Sequence, residues 1–138
     1  MDTTVIPVTK AIYVCDDVVE DPASHKVHFL GIFNAVRPPS PATYPFRLGQ
    51  MCVVVQLIDG LGEIPIHGEI VRAETEDLVY SSPEQRLRFP QRQTTVFACF
   101  RIRDCLFPGP GVYFVEFYCR DTLLDDRTLH LLPEEVEP

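Results

Sequence analysis

Histidines are the side chains of this sequence best suited to acid–base or metal chemistry near neutral pH. The chain has four of them, His25, His28, His67 and His130. No pair stands four residues apart on a helix face, and no His-x-Glu or Cys-x-x-Cys motif accompanies them, as zinc sites require. We therefore expect isolated surface or half-buried histidines, no metal ligands and no cofactor.

Candidate nucleophiles are equally isolated. Ser24 and His25 are adjacent only in sequence, and there is no Gly-x-Ser-x-Gly elbow and no glycine-rich phosphate loop. Cys105 precedes a turn and is the thiol expected to be most exposed, with Arg101 or Arg103 as the cation that its activation would need. The sequence thus predicts a protein that is not an enzyme, with no catalytic residue.

Acidic side chains gather at the ends of predicted strands. A calcium site would need six to eight oxygen ligands from such loops, but the spacing here matches no established calcium loop. Turn chemistry and solubility explain these residues more simply, and calcium at one loop end stays open as an alternative. The two groups are Asp16, Asp17, Glu20 and Asp21, and Asp121, Asp125 and Asp126.

Charge and cysteine usage restrict the partners and the compartment. A formal net charge of −8 and an isoelectric point near 4.8 disfavour nucleic acid, whose phosphates need clustered Lys and Arg. We expect no export signal, because Met1 is followed by Asp2 and no positively charged start leads into an apolar stretch with a cleavage site. Apolar runs such as Met51–Val55 are far shorter than the ~20 residues of a membrane span, so no membrane partner is expected. Five cysteines, an odd number without paired spacing, predict a reducing bacterial cytoplasm.

Side-chain alternation with a period of two dominates the chain and predicts β-strands separated by turns. Asp59-Gly60-Leu61-Gly62 predicts a hairpin turn, and the proline-rich segment 37–45 predicts a crossing loop or a ragged edge. Ser82-Pro83-Glu84-Gln85 predicts at most one helical turn near 82–87. The predicted strands are 11–19, 26–36, 46–58, 63–73, 78–80, 94–103, 112–119 and 122–131, with hairpins between the first two and the last two.

These elements predict an all-β fold, a two-sheet antiparallel β-sandwich of about seven to eight strands, loosely immunoglobulin- or C2-like. An open barrel is the alternative. Residues 1–138 form one domain, with an ordered core over about 10–132, a short N-terminal tail and an acidic C-terminal tail. Cys52 and Cys99 are spaced like an inter-sheet pair, but the tryptophan of antibody domains is missing.

Three predicted strands are apolar on both faces, at 51–55, 96–100 and 112–119. A strand of this kind needs both faces covered, either by loops of the same chain or by a second copy or another protein. We therefore predict a non-enzymatic interaction or assembly module that self-associates or binds a protein partner, and a ligand-binding sandwich is the alternative. The residues predicted for the interface are Val53, Val55, Phe97, Phe100, Phe114 and Tyr118.

Two stretches carry a family resemblance: Val14-Cys15-Asp16 followed by 26–34 (KVHFLGIFN), and Phe107-Pro108-Gly109-Pro110-Gly111-Val112-Tyr113 before the last hairpin. They resemble a family of small, uncharacterised bacterial proteins. In that family the opening strands end in Gly-Ile-Phe, and the closing strands follow a Pro-Gly-x-Tyr turn. The resemblance covers roughly residues 10 to 132 and implies a sandwich fold. It transfers no site residues, because the family has no assigned activity.

Overall fold

The computed structural model describes residues 3–39 and 43–133, which form ten β-strands and no helix. The predicted acidic tail and part of the proline-rich segment lie outside these ranges. The strands are β1 (Val8–Glu20), β2 (Val27–Ile32), β3 (Ala35–Val36), β4 (Phe46–Ile58), β5 (Gly62–Arg72), β6 (Leu78–Ser81), β7 (Gln85–Phe89), β8 (Val96–Phe107), β9 (Gly111–Cys119) and β10 (Thr122–Leu131).

The strands form two sheets, which confirms the predicted all-β fold. One sheet has four strands in the order β2-β1-β4-β8, and the other has six, β3-β10-β9-β5-β6, with β7 also paired to β5. The predicted hairpins β1–β2 and β9–β10 are both present, and only the short β3 pairs in parallel, with β10. Ten strands replace the seven or eight expected, because the predicted strand 26–36 divides into β2 and β3, and because β7 at 85–89 was not predicted.

The predicted helical turn near 82–87 is wrong. Residues 85–89 form β7, which pairs with residues 62–66 of β5. The Ser82 hydroxyl does not cap a helix; it accepts a hydrogen bond from the Gly68 backbone N–H at 2.8 Å. Phe89 is buried in the core, so tertiary packing overrides the local capping signal.

The connections at 33–34 and 59–61 carry the chain from one sheet to the other. The single strand predicted over 26–36 splits at Phe33, whose N–H donates to Val14 O at 2.9 Å, before β3 joins β10. The Asp59–Gly62 segment is not a hairpin, because β4 and β5 belong to different sheets. Gly60 is required there because a Cβ would lie 2.7 Å from the Phe89 ring.

The core lies between the two sheets and takes alternate residues from every long strand. Tyr113 is fully buried, and its hydroxyl donates to the Gly109 carbonyl at 2.7 Å, so its polar atom is satisfied. The largest core side chains are Met51, Leu57, Ile64, Ile66, Ile70, Phe89, Phe107, Tyr113, Phe117, Leu129 and Leu131. Over the described residues, no helix has the length and apolar character needed to cross a membrane.

Candidate functional site

Three of the six residues predicted for the interface lie in the core. Val53, Val55 and Phe100 are at most 4% exposed and belong to the cluster between the sheets. The prediction could not orient β4 and β8, because both faces of each strand are apolar. The structure corrects the prediction here: these three side chains are unavailable to a partner of the folded domain.

The other three predicted residues lie on opposite faces of the molecule. Phe97 is on the outer face of the four-stranded sheet, where it is 47% exposed. Phe114 and Tyr118 are half-buried on the outer face of the six-stranded sheet, since their neighbours Tyr113, Val115 and Phe117 point into the core. The six residues therefore do not form one surface.

The outer face of the four-stranded sheet carries an open groove of about 630 Å³. Two aromatic rings line it, with the Phe29 centroid 6.3 Å from that of Phe97, and Phe29 also contacts the Tyr13 ring at 5.2 Å. We call this feature the outer groove. Its apolar lining is Val18, Val27, Phe29, Val54, Phe97 and Cys99.

Arg101, Glu20 and Gln85 are the polar residues that line the outer groove, and Arg101 is held in place by two contacts. Its Nη1 lies 2.6 Å from Asp17 Oδ1, and its Nη2 donates to Val18 O at 2.8 Å. The hydrogen bond from Arg101 is the main cause that lowers the pKa of the Asp17 carboxyl. Gln85 closes the other side, where its Nε2 donates to Cys99 O at 3.4 Å.

The two edges of the four-stranded sheet differ in protection. β8 carries Arg101, Arg103 and Asp104 along its edge, and charged side chains discourage pairing with another chain. β2 pairs only with β1 among the described strands, and its Leu30 and Ile32 are exposed. No proline and no acidic residue lies between positions 25 and 34. Among the described residues, the β2 edge therefore lacks the charged side chains that line the β8 edge.

Three cysteines lie beneath the outer groove. Cys15 and Cys52 are fully buried and Cys99 is half-buried, all on the outer side of the four-stranded sheet. Cys52 and Cys99 are thus neighbours within one sheet and not the inter-sheet pair that their spacing suggested. Burial raises the pKa of all three thiols, that of Cys52 to about 11. None is an activated nucleophile.

Cys105, expected to be the exposed thiol, is buried. Burial raises its pKa to about 11, so a reactive thiolate is disfavoured. The prediction relied on the turn that follows Cys105 in the sequence, but the Cys105 side chain points into the core.

The outer face of the six-stranded sheet is polar. The His67 and Tyr118 rings stack at 4.8 Å, and His67 Nε2 lies 3.1 Å from Glu69 Oε2. The Tyr118 hydroxyl donates to Glu116 Oε1 at 3.1 Å; burial first, and then Glu116, raises the pKa of Tyr118 to about 12. Glu69, Glu116 and Asp126 stand directly opposite one another on β5, β9 and β10.

The two acidic groups lie at opposite ends of the sandwich. Asp21 follows β1, and its Oδ1 accepts backbone hydrogen bonds from Ala23 at 2.8 Å and Ser24 at 3.3 Å. Asp121 lies in the turn between β9 and β10. Its neighbour Arg120 donates from Nη2 to Thr4 Oγ1 at 3.0 Å, and Thr4 precedes the start of β1, so this group lies near the other end of β1. In residues 3–39 and 43–133, no three His, Cys, Asp or Glu side chains are arranged to hold a metal ion.

Three of the solved structures that match this chain have low sequence identity to it. This chain is 13% identical to a β-D-glucoside glucohydrolase from Trichoderma reesei (TM-score 0.48), with 94% of this chain and 19% of that one covered. It is 11% identical to the alkylpurine DNA glycosylase AlkC of Pseudomonas fluorescens bound to DNA with an abasic site analogue (TM-score 0.45), covering 88% and 30%. A Listeria innocua β-glucosidase in complex with glucose gives 12% identity and a TM-score of 0.45, covering 75% and 15%.

The chain therefore spans less than a third of each of these proteins, and at such scores they carry no argument about its activity. No curated protein matches the chain. A family model matches residues 10–132, which is most of the chain and includes both stretches that carried the resemblance. The chain thus belongs to the family described as a family of unknown function, DUF6941.

Proposed function

We propose that this protein is a non-enzymatic interaction module that self-associates through the β2 edge of its four-stranded sheet. In this arrangement the β2 strands of two copies pair in antiparallel fashion about a two-fold axis. The four-stranded sheets then join into one continuous sheet, and the second copy extends the wall of the outer groove next to Val27 and Phe29.

The open β2 edge is the observation that carries this proposal. Its backbone groups on the side away from β1 have no strand partner among the described residues. Exposed Leu30 and Ile32 would add apolar burial to the main-chain hydrogen bonds of a paired strand. Soluble proteins usually protect such an edge with charges, proline or a covering segment, and β2 has none of the first two within its six residues.

The β2 segment itself adds no acidic side chain to the repulsion between two copies. Two chains that each carry a net charge of −8 repel one another, and the repulsion is smallest where acidic residues are absent. The segment from His25 to Asn34 contains Lys26 and two histidines and no Asp or Glu. Antiparallel pairing of two β2 strands therefore sets no acidic side chain of one β2 strand against the other.

The expected association is weak. β2 supplies six residues, compared with the roughly 20–30 residues on each side of a standard stable interface. Monomer and dimer should therefore coexist at micromolar concentration, with the equilibrium set by protein concentration.

Sedimentation equilibrium over a range of micromolar concentrations tests the proposal. We expect concentration-dependent dimers for the wild type and monomers for Leu30→Lys, which places a charge on the β2 edge. Leu78→Lys is the matched control, because Leu78 on β6 is 56% exposed and Leu30 is 48% exposed. A wild type that stays monomeric throughout, or a Leu78→Lys variant that dissociates as Leu30→Lys does, contradicts self-association at β2.

A further inference from the structure

Three of the five cysteines are neighbours on adjacent strands of one sheet face. Cys15 of β1 stands directly opposite Cys52 of β4, and Cys99 of β8 stands opposite Val54, on a diagonal from Cys52. The other two, Cys105 and Cys119, belong to the core cluster between the sheets. The chain therefore separates its thiols into a trio and two isolated core residues.

The register brings Cys15 and Cys52 within reach of a disulfide. Directly opposed residues of antiparallel strands have Cα atoms about 4.5–5.5 Å apart. A disulfide spans Cα separations of about 4.4–6.8 Å, so this pair can be bridged with little backbone movement. The diagonal between Cys52 and Cys99 is about 7–8 Å by the same geometry, at or beyond that range.

The thiols of the trio are connected to one another. The neighbouring Cys52 thiol works against the rise that burial causes in the pKa of Cys99, and Arg101 Nη1 lies 3.6 Å from Cys52 Sγ. The Cys15 thiol donates to Asp17 O at 3.4 Å. Cys99 is the member that lines the outer groove and meets solvent. An oxidant therefore reaches Cys99 first.

We propose that Cys15 and Cys52 are a cross-strand dithiol that hydrogen peroxide oxidises to a disulfide through Cys99. The Cys99 thiolate attacks one peroxide oxygen, the O–O bond breaks, and Cys99 sulfenic acid and hydroxide form. The Cys52 thiolate then displaces hydroxide from that sulfur and gives a Cys52–Cys99 disulfide. The Cys15 thiolate attacks Cys52, forms the Cys15–Cys52 bond and releases the Cys99 thiolate.

Overall, two thiols lose two protons and two electrons, and one hydrogen peroxide takes them up and becomes two waters. Transfer to Cys15–Cys52 is downhill, because the diagonal bond stretches beyond the usual Cα range and strained disulfides are the labile ones. The reaction is slow at neutral pH, because little thiolate is present. Burial, and after it the neighbouring Cys99 and Asp16, raises the pKa of Cys15, and burial outweighs Arg101 at Cys52 and Cys99. This modification does not depend on the self-association proposed above.

Mass spectrometry of the folded, full-length chain tests this proposal. After peroxide treatment we expect the intact mass to fall by two hydrogens. After alkylation of the remaining thiols and digestion, we expect one linked peptide pair that contains Cys15 and Cys52. Cys52→Ser and Cys52→Ala should both lose the linkage. Cys99→Ser should slow it several-fold. Cys105→Ser is the control and should react as the wild type does.

Five free thiols after treatment of the folded wild type would overturn the proposal without needing any variant to fold. A linkage that includes Cys105 or Cys119 would also overturn it, because only unfolding brings those residues to the trio. A Cys99→Ser variant that oxidises at the wild-type rate would refute the relay through Cys99. None of these outcomes bears on the oligomeric state, so the two proposals fail separately.

Discussion

The two outer faces of the sandwich look alike in sequence and differ in structure. β8 and β9 both read as apolar on two sides, yet Phe97 on the outer face of β8 is left half-exposed beside an open groove. Tyr118 on the outer face of β9 is stacked on His67 and hydrogen-bonded to Glu116. Neighbouring strands decide the difference, because they supply polar partners to one face and mainly apolar ones to the other. An apolar strand face therefore indicates a binding surface only after its cross-strand neighbours are known.

The largest expected difference in unfolding free energy is between a substitution in the core and one in the outer groove. Phe100→Ala removes a buried ring and should lower the free energy of unfolding by about 3–5 kcal/mol. Phe97→Ala removes a ring that is already half in water, so the loss should be less than half as large. Urea denaturation measures both. Equal losses would contradict the assignment of the two residues to opposite faces of β8.

Removing the hydroxyl group of Tyr113 or of Tyr118 compares the stability contributions of a buried and a half-buried hydroxyl. Tyr113→Phe leaves the buried Gly109 carbonyl without its donor and should cost about 1–3 kcal/mol of unfolding free energy. Tyr118→Phe removes a hydrogen bond to Glu116 that water can partly replace, and should cost about 0.5–1.5 kcal/mol. A reversed order in chemical denaturation would show that the polar network of the six-stranded face is the stronger of the two.

Much of the fold follows from the sequence, since alternation gave β4 its observed bounds of Phe46–Ile58. The orientation of β4 did not follow, because Met51–Val55 is apolar on both sides and periodicity then carries no direction. The cluster of Cys15, Cys52 and Cys99 could not be predicted from the sequence either. Cys15 and Cys52 are far apart in the chain, and only the register between β1 and β4 places them opposite each other. The sheet crossing at Asp59–Gly62 was missed because local turn chemistry does not record which sheet the next strand joins.

The ion pair at the rim of the outer groove predicts a smaller, pH-dependent effect. The folded pKa of Asp17 is lowered, so its contribution to stability is present above the unfolded value of 3.8 and is lost as the pH falls through the lower folded value. Asp17→Asn should be slightly less stable than the wild type at neutral pH and equal to it in acid. Asp121→Asn, a change at an exposed turn, is the control. An Asp17→Asn deficit that persists in acid would contradict the ion-pair explanation.

Salt should change the strength of self-association only slightly, and the direction of the change tells which charges meet at the interface. Because both copies are acidic, added salt screens their repulsion and should strengthen self-association modestly. Sedimentation of the wild type in low and high salt measures this. Weaker association in high salt would indicate contacts between opposite charges and would contradict the choice of the apolar β2 edge.

Hydrogen–deuterium exchange at the two edges of the four-stranded sheet tests self-association at β2 most directly. Backbone amides of Val27–Ile32 should become more protected as protein concentration rises, because a second strand pairs with them. The amides along Val96–Phe107, at the charged opposite edge, should exchange at a rate independent of concentration. Exchange in β2 that does not change with concentration, or protection that grows at β8 instead, would contradict the account.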